Sequence, residues 1–504
     1  MAGIGLQLQS LSEMDTFTSR LKAYVYAGFI TAGPWLSMVF SISAIQLLLQ
    51  AYSPIAYSQK ELFLLSVSYC FIFSLILHGG VQLVITRYLS DLLYENKGKE
   101  AFAAFLGISK LVSVIALIIG VVFCLFSPLT VLYKAVLISL FLTVNLIWIL
   151  IVFLTASKYY IAISCAFLAG TAVAVGLAFL FTSLGLFQVG EHSQALNQLV
   201  GFSIGMVVTL MLLFYSLLST FPDRSIDGQF AFMDYFDKYP SLIWTGLLYN
   251  MGIWVCNWII WFGDGATTIA GTFRFHTAND SAMFWAYLTI IPTLASFLLS
   301  IETRFYPRYK QFYGYVNNGG TLDQVQVAKK SLLDVLKQEM ERMFRNQAFV
   351  SMFFIITPAF FTSFMNVNSV FVSLFRFTVL GAFSNAMLLV LMQVMLYFDD
   401  RKGALRSVLV FFSCNTGLTL AFLPLGFRGY GLGFALGSTI AFMYACMQLI
   451  NYLSEVDYHV YCRPEIETSE TGRFHKWGAW LETHTVIEKK IAAAIPVRNT
   501  EVGG

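Results

Sequence analysis

The chain has 504 residues, of which 58% are hydrophobic and only 12% charged, with a formal net charge of +3. A soluble domain carries about 25% charged residues. This composition and the mean hydropathy of +0.71 therefore exclude a water-facing globular fold and call for lipid as a second solvent. The small net charge comes with no arginine-rich run or basic helix, so nucleic acid is not an expected partner.

The opening MAGIGLQLQS lacks the basic start and apolar core of a cleavable signal. Ile4, Leu8, Leu11, Met14, Phe17 and Leu21 fall at helical spacing, which predicts a short helix on the inner membrane surface over 1–20. A crossing needs about 20 apolar residues, and about twelve stretches meet that length. They are 23–49, 62–85, 104–126, 131–155, 160–184, 196–219, 241–262, 282–303, 347–365, 370–397, 404–425 and 430–453. The ninth is short and interrupted by Pro358.

The expected fold class is thus all-α: a polytopic membrane protein with two six-helix lobes. Residues 21–219 form the N-lobe and 220–240 a cytoplasmic linker. Residues 241–455 form the C-lobe, with a cytoplasmic amphipathic loop at 304–346, and 456–504 a cytoplasmic tail that is helical near 478–494. A 6+6 arrangement suggests related lobes around a cavity, although no letter-by-letter repeat is evident. With both termini inside, the inner loops and tails hold 25 of the 31 Lys and Arg; the outer side holds Lys60, Lys134, Arg274 and Arg428, and Lys110 and Arg376 fall within spans. That asymmetry supports the orientation.

Polar residues within the spans are the candidate site. Asn145, Asn250 and Asn385 can hydrogen-bond sugar hydroxyls and Trp254 can stack on a sugar face; bonding between helices is the alternative for the amides. Arg376 either lines the cavity or snorkels outward. The loop 263–281 offers Asp264, Phe273, Arg274, His276 and Asp280 as an exit or as an ordinary ordered loop. Gly28, Gly33 and Pro34 interrupt the first span as a hinge or an inert kink. His78 reads as structural. Asp and Glu stay away from span centres, which weakens a proton-driven antiporter. No Cys/His cluster suggests a metal, and no cofactor is expected.

Four segments carry a resemblance: MAGIG, AYVYAGFITAGPW (23–35), LLYNMGIW (247–254) and DSAMFWAYLTIIPTLASFLLSIETRFYPRYKQFY (280–313). Together they resemble the Pel exopolysaccharide transporter (PelG) family of the multidrug/oligosaccharidyl-lipid/polysaccharide (MOP) flippase superfamily, over residues 1 to about 455. The resemblance implies two lobes that alternate access and an amino-sugar exopolysaccharide as cargo for a biofilm matrix. As partners it implies a cytosolic Pel glycosyltransferase and membrane subunits that include a cyclic-di-GMP receptor. It implies a bacterial inner-membrane location. The family pattern also implies an Asp-Lys pair after the GIW of span seven, where this chain has Cys256 and Asn257. A drug or cation antiporter of the same fold and a non-transporting scaffold for a polysaccharide synthase are the competing functions. A membrane glycosyltransferase or acyltransferase is a further competing function, disfavoured because no D-x-D occurs and His78 is the lone intramembrane base, so no enzymatic activity is expected. The inner loop 304–345 reads either as a docking face for the synthase or as a membrane-surface helix.

Overall fold

The computed structural model describes residues 17–52, 56–157, 159–222, 225–357, 369–462 and 472–494. Six long helices come first: α1 (Phe17–Tyr52), α2 (Tyr57–Tyr94), α3 (Lys99–Leu125), α4 (Val131–Ala156), α5 (Tyr160–Leu184) and α6 (Ser193–Thr220). The short α7 (Met233–Lys238) then leads into α8 (Pro240–Ile260). A β-hairpin follows, β1 (Thr267–Ile269) against β2 (Phe273–Phe275), antiparallel with Thr268 opposite Arg274. Next come α9 (Thr277–Leu288), α10 (Ile291–Ser300), a π turn over Ile301–Phe305 and α11 (Tyr306–Asn317). The chain ends with α12 (Leu322–Ile356), α13 (Ser369–Tyr397), α14 (Arg401–Phe422), α15 (Leu432–Ser454), α16 (Val456–Tyr461) and α17 (Arg473–Ala494).

Among the described residues, eleven helical stretches are long and apolar enough to cross a membrane. Expected span nine, 347–365, is described only in part: its first half is the end of α12, and 358–365 lie outside the described residues. Residues 1–16 of the expected surface helix also lie outside them, and Phe17 already belongs to α1. Within the segment 304–346 the amphipathic stretch Leu322–Arg345 is helical as expected, and a short turn over 318–321 separates it from span eight. Span eight continues through the π turn to Asn317, and α12 runs unbroken for 35 residues from its charged half into its apolar half. The Thr321 hydroxyl and the Gln324 side chain start α12 with a reciprocal capping box. No apolar or polar boundary interrupts helical periodicity afterwards, so the helix need not stop where the sequence turns hydrophobic.

Two principal cores mark two lobes. One gathers residues from Met38 to Phe275 and the other from Tyr249 to Val456. The packing order of the first half recurs in the second. α5 packs on α6 as α14 does on α15, α1 on α5 as α8 on α14, and α4 on α6 as α13 on α15. The reason is visible in small residues. Gly201 and Gly205 of α6 lie against the backbone of Ala178 and Ala174, and Gly433 and Gly437 of α15 lie against Thr419 and Asn415. Lipid tails are as apolar as leucine, so helices in a membrane associate where small side chains let backbones approach. GFSIG (201–205) and GFALG (433–437) are therefore a short letter repeat at equivalent places in the two halves.

The inter-lobe linker packs on the N-lobe: Ser225 N donates to Lys99 O at 2.9 Å, and Phe232 is fully buried. α17 folds back onto this linker. His475 Nδ1 meets Asp234 Oδ1 at 2.8 Å, and its backbone N donates to Asp237 Oδ2 at 2.8 Å. The Glu482 carboxylate accepts from the backbone N of Gly228 (3.0 Å) and Phe230 (3.2 Å).

Candidate functional site

Two antiparallel seams join the lobes, one between α2 and α8 and one between α1 and the α9–α10 rod. At the hairpin end of the α2–α8 seam, Tyr69 stacks on Trp261 with centroids 5.1 Å apart and planes 10° apart. The Tyr69 hydroxyl donates to Arg274 O at 2.7 Å and accepts from Arg274 N at 3.0 Å. Further along, Phe73 stacks on Trp258 at 5.8 Å. The helices then cross at Gly79 and Gly246, where a Cβ on Gly79 would lie 2.6 Å from Gly246 O and also overlap the Asn250 amide. At the linker end, the Tyr239 ring faces two guanidinium groups, Arg87 at 5.7 Å and Arg401 at 4.7 Å. Asp91 pairs with Arg87 at 3.5 Å, and Asp399 with Arg401 at 3.1 Å. Tyr235 beside them donates to Asp91 Oδ2 at 3.0 Å. Burial, and after it the Asp91 charge, holds its phenol far above the usual range, so it remains a donor.

The predicted amides separate. Asn145 on α4 is buried and gives its Nδ2 to Phe141 O at 2.8 Å; its Oδ1 has no hydrogen-bond partner among the described residues. One turn along, Trp148 Nε1 donates to Ser74 Oγ at 3.0 Å and the ring stacks on His78. Asn385 on α13, the helix equivalent to α4, is equally buried. Its Nδ2 donates to Tyr287 Oη at 3.3 Å, and its Oδ1 also has no hydrogen-bond partner among the described residues. Asn250 sits at the seam crossing with Nδ2 on Gly246 O at 2.9 Å. Trp254 packs against the N-lobe core. Arg376 stands apart from all of these: it is exposed and donates Nε to Ile355 O at 3.1 Å, satisfying a carbonyl in the last turn of α12.

The loop residues form the hairpin and its junction with α9. Phe273 is fully buried and edges against Tyr69 at 5.0 Å, and Thr272 Oγ1 donates to Ser127 Oγ at 2.9 Å, so the hairpin is docked on the N-lobe. Arg274 is exposed, with its guanidinium 4.4 Å from the Phe262 ring. His276 caps α9: its Nδ1 accepts from Asn279 N at 3.1 Å, and its Nε2 lies 3.1 Å from Asp264 O. Asp264 is exposed. Asp280 turns inward between α8 and α9. Its carboxylate accepts from Asn257 Nδ2 (2.8 Å), Trp261 Nε1 (2.9 Å) and His276 N (3.0 Å). A carboxylate thus does lie between two spans, at their hairpin end. Asn257 is one of its donors.

α1 remains helical through Pro34. Gly33 faces Ser164 of α5, whose hydroxyl donates to Phe29 O at 3.2 Å in the turn the proline loosens. Gly28 meets Ala295 across the second seam. Sequence reasoning missed Tyr69, Tyr239 and Arg401. Their signal was an aromatic or cation at the ends of facing spans, legible only once the pairing of α2 with α8 is known. An apolar recess lined by Tyr69, Phe73, Ile119, Phe123, Leu137 and Phe141 lies inside the N-lobe rather than between the lobes. Among the described residues no group of three His, Cys, Asp or Glu is placed to hold a metal.

The sequence pattern of the family described as PelG, putative exopolysaccharide exporter, matches residues 1–461. No curated protein matches the chain. Among solved structures the chain is similar to a MOP superfamily transporter from Pyrococcus furiosus, at 15% identity and a TM-score of 0.56, covering 86% of this chain and 96% of that one. It is also similar to the MATE transporter VcmN of Vibrio cholerae in its bent form, at 12% identity and a TM-score of 0.57, covering 90% and 99%. The eukaryotic MATE transporter AtDTX14 aligns at 12% identity and a TM-score of 0.53, covering 92% and 98%. At such identities the likeness establishes the two-lobed fold of that superfamily.

Proposed function

This chain belongs to the PelG family of exopolysaccharide exporters, and on that premise we propose that it carries a Pel-type amino-sugar polymer across the bacterial inner membrane between its two lobes. Both termini and the linker end lie in the cytoplasm, and the hairpin end faces outward. A hydrated sugar chain cannot enter hydrocarbon, because each unsatisfied hydroxyl costs several kcal/mol. The protein must therefore part its lobes and offer polar groups instead.

The observation that carries this reading is the pair Asn145 and Asn385. They occupy equivalent helices, α4 and α13, each with a buried amide oxygen lacking a hydrogen-bond partner among the described residues. An open oxygen accepts a hydroxyl or ammonium proton, the donors an amino sugar supplies. Asn250 and Trp254 sit on the seam that must open, and Arg376, outside it, serves α12. The hairpin with Phe273, Arg274 and His276 forms the exit wall, with Asp264 exposed there to meet cationic sugars. Gly28, Gly33 and Pro34 let α1 bend as the second seam parts.

Inner partners are a cytosolic glycosyltransferase that makes the polymer from UDP-sugars and a membrane subunit that senses cyclic-di-GMP. The charged half of α12 is the face offered to them. An antiporter of the same fold needs a carboxylate free to exchange protons, and Asp280 is instead held by donors from Asn257, Trp261 and His276.

Vesicles containing this protein, the synthase and UDP-sugars test the proposal. Polymer that resists added glycosidase until detergent opens sealed inside-out vesicles is the expected result. Polymer fully digested without detergent would leave only an anchoring role. Asn145→Ala with Asn385→Ala should lower the protected fraction at equal protein level; unchanged protection removes both amides from the path.

A further inference from the structure

α17 lies beyond residue 461, where the family match ends. Its two faces differ. Phe474, Gly478, Leu481 and Glu482 face the linker: Phe474 lies 5.6 Å from Phe236, and Gly478 fits against Met233 and the Phe230 carbonyl. The opposite face carries Arg473, Lys476, Trp477 and Trp480, spaced three and four residues apart as one stripe. Both tryptophans are largely exposed, at 65% and 61%.

The depth of this helix follows from α3. The linker backbone presses on Gly107 so closely that an added methyl would overlap the Gln229 carbonyl and lie 3.1 Å from the Phe232 ring. Gly107 is eight residues, about 12 Å, inside the start of α3 at Lys99. Three residues deeper, Lys110 is exposed on the same helix, and a lysine on a span keeps its ammonium at the headgroup level. The linker stretch 229–233 therefore sits at the membrane–water boundary, and α17 lies directly against it. Tryptophan concentrates at that boundary, and arginine and lysine there attract anionic headgroups.

We propose that the outward stripe of α17 rests on the anionic phospholipid surface of the same membrane and anchors the tail in the plane of the bilayer. This inference does not depend on the exported cargo.

The test places the full-length protein in lipid nanodiscs of phosphatidylcholine, with and without phosphatidylglycerol, using acyl chains that are plain or brominated. The emission of Trp477 and Trp480 is the difference between the wild-type protein and W477F/W480F. Phenylalanine keeps the helix apolar, and hydrogen exchange over 473–483 reports that it remains folded. The expected result is a blue-shifted difference emission that brominated lipid quenches, more so with phosphatidylglycerol. R473E/K476E should abolish that preference. A difference emission untouched by brominated lipid and quenched by aqueous iodide would overturn the proposal, including the case where the stripe serves a cytosolic protein. Quenching indifferent to phosphatidylglycerol would overturn its anionic part.

Discussion

Gly79 and Gly80 are neighbours in α2, and the structure assigns them opposite tolerance to a single methyl group. A Cβ on Gly79 meets the Gly246 carbonyl oxygen at 2.6 Å, whereas ordinary contact begins at 3.4 Å. The α2–α8 seam would have to open by about 0.8 Å against close-packed backbone. A Cβ on Gly80 meets only the Leu247 methyl, at 3.9 Å. Overpacking of this kind costs about 1–3 kcal/mol, which corresponds to roughly 5- to 150-fold in the equilibrium between sealed and parted seams. Alanine in place of a mid-helix glycine otherwise gains about 0.5–1 kcal/mol. Gly79→Ala should lower the apparent thermal midpoint in detergent and alter export at equal protein level, while Gly80→Ala should hold or raise the midpoint. Equal midpoints for the two variants would refute the crossing geometry.

Asp280→Asn replaces an acceptor oxygen with a donor facing the N–H groups of Asn257, Trp261 and His276. It should cost about 1–3 kcal/mol, read as a lower midpoint, whereas exposed Asp264→Asn should leave the midpoint unchanged. Tyr239→Phe keeps a ring beneath Arg87 and Arg401 and should export normally. Tyr239→Ala loses three cation–π contacts, to Arg87, Lys238 and Arg401, of about 0.5–2 kcal/mol each and should shift the rate of export measured in vesicles. Gly201→Ala and Gly433→Ala drive a methyl into the backbone of Ala178 and Thr419 and should destabilise by similar amounts. A large difference between their midpoints would argue against equivalence of the halves.

The spans were legible because crossing about 30 Å of hydrocarbon demands an apolar length that few other structures need. The family was legible in one long run, 280–313, that is here the α9–α11 rod. The repeat of GFSIG and GFALG stood in the sequence as well, but five letters carry little weight until packing shows both doing the same work. Other features depend on partners far along the chain. Arg376 meets Ile355, Tyr69 meets Arg274, and Asn257 meets Asp280; periodicity reports which face of a helix is apolar and not what that face touches. That the amphipathic helix at 322–345 runs on into the next span was not legible for a related reason. Hydropathy changes near 346, but backbone hydrogen bonding continues on either side of the change.

That continuity gives α12 the mechanics of a strut clamped at two points. Glu339 is buried at its midpoint, held by Arg304 at 2.6 Å and Arg342 at 3.0 Å. Seventeen residues, about 26 Å, extend to each side. The membrane arm is bolted to span eight through Gln347, whose Nε2 donates to Thr289 O at 3.2 Å. A push along the strut at Leu322 is therefore delivered to span eight at both clamps, so a load taken up by the charged half reaches the membrane half without any segment having to unfold.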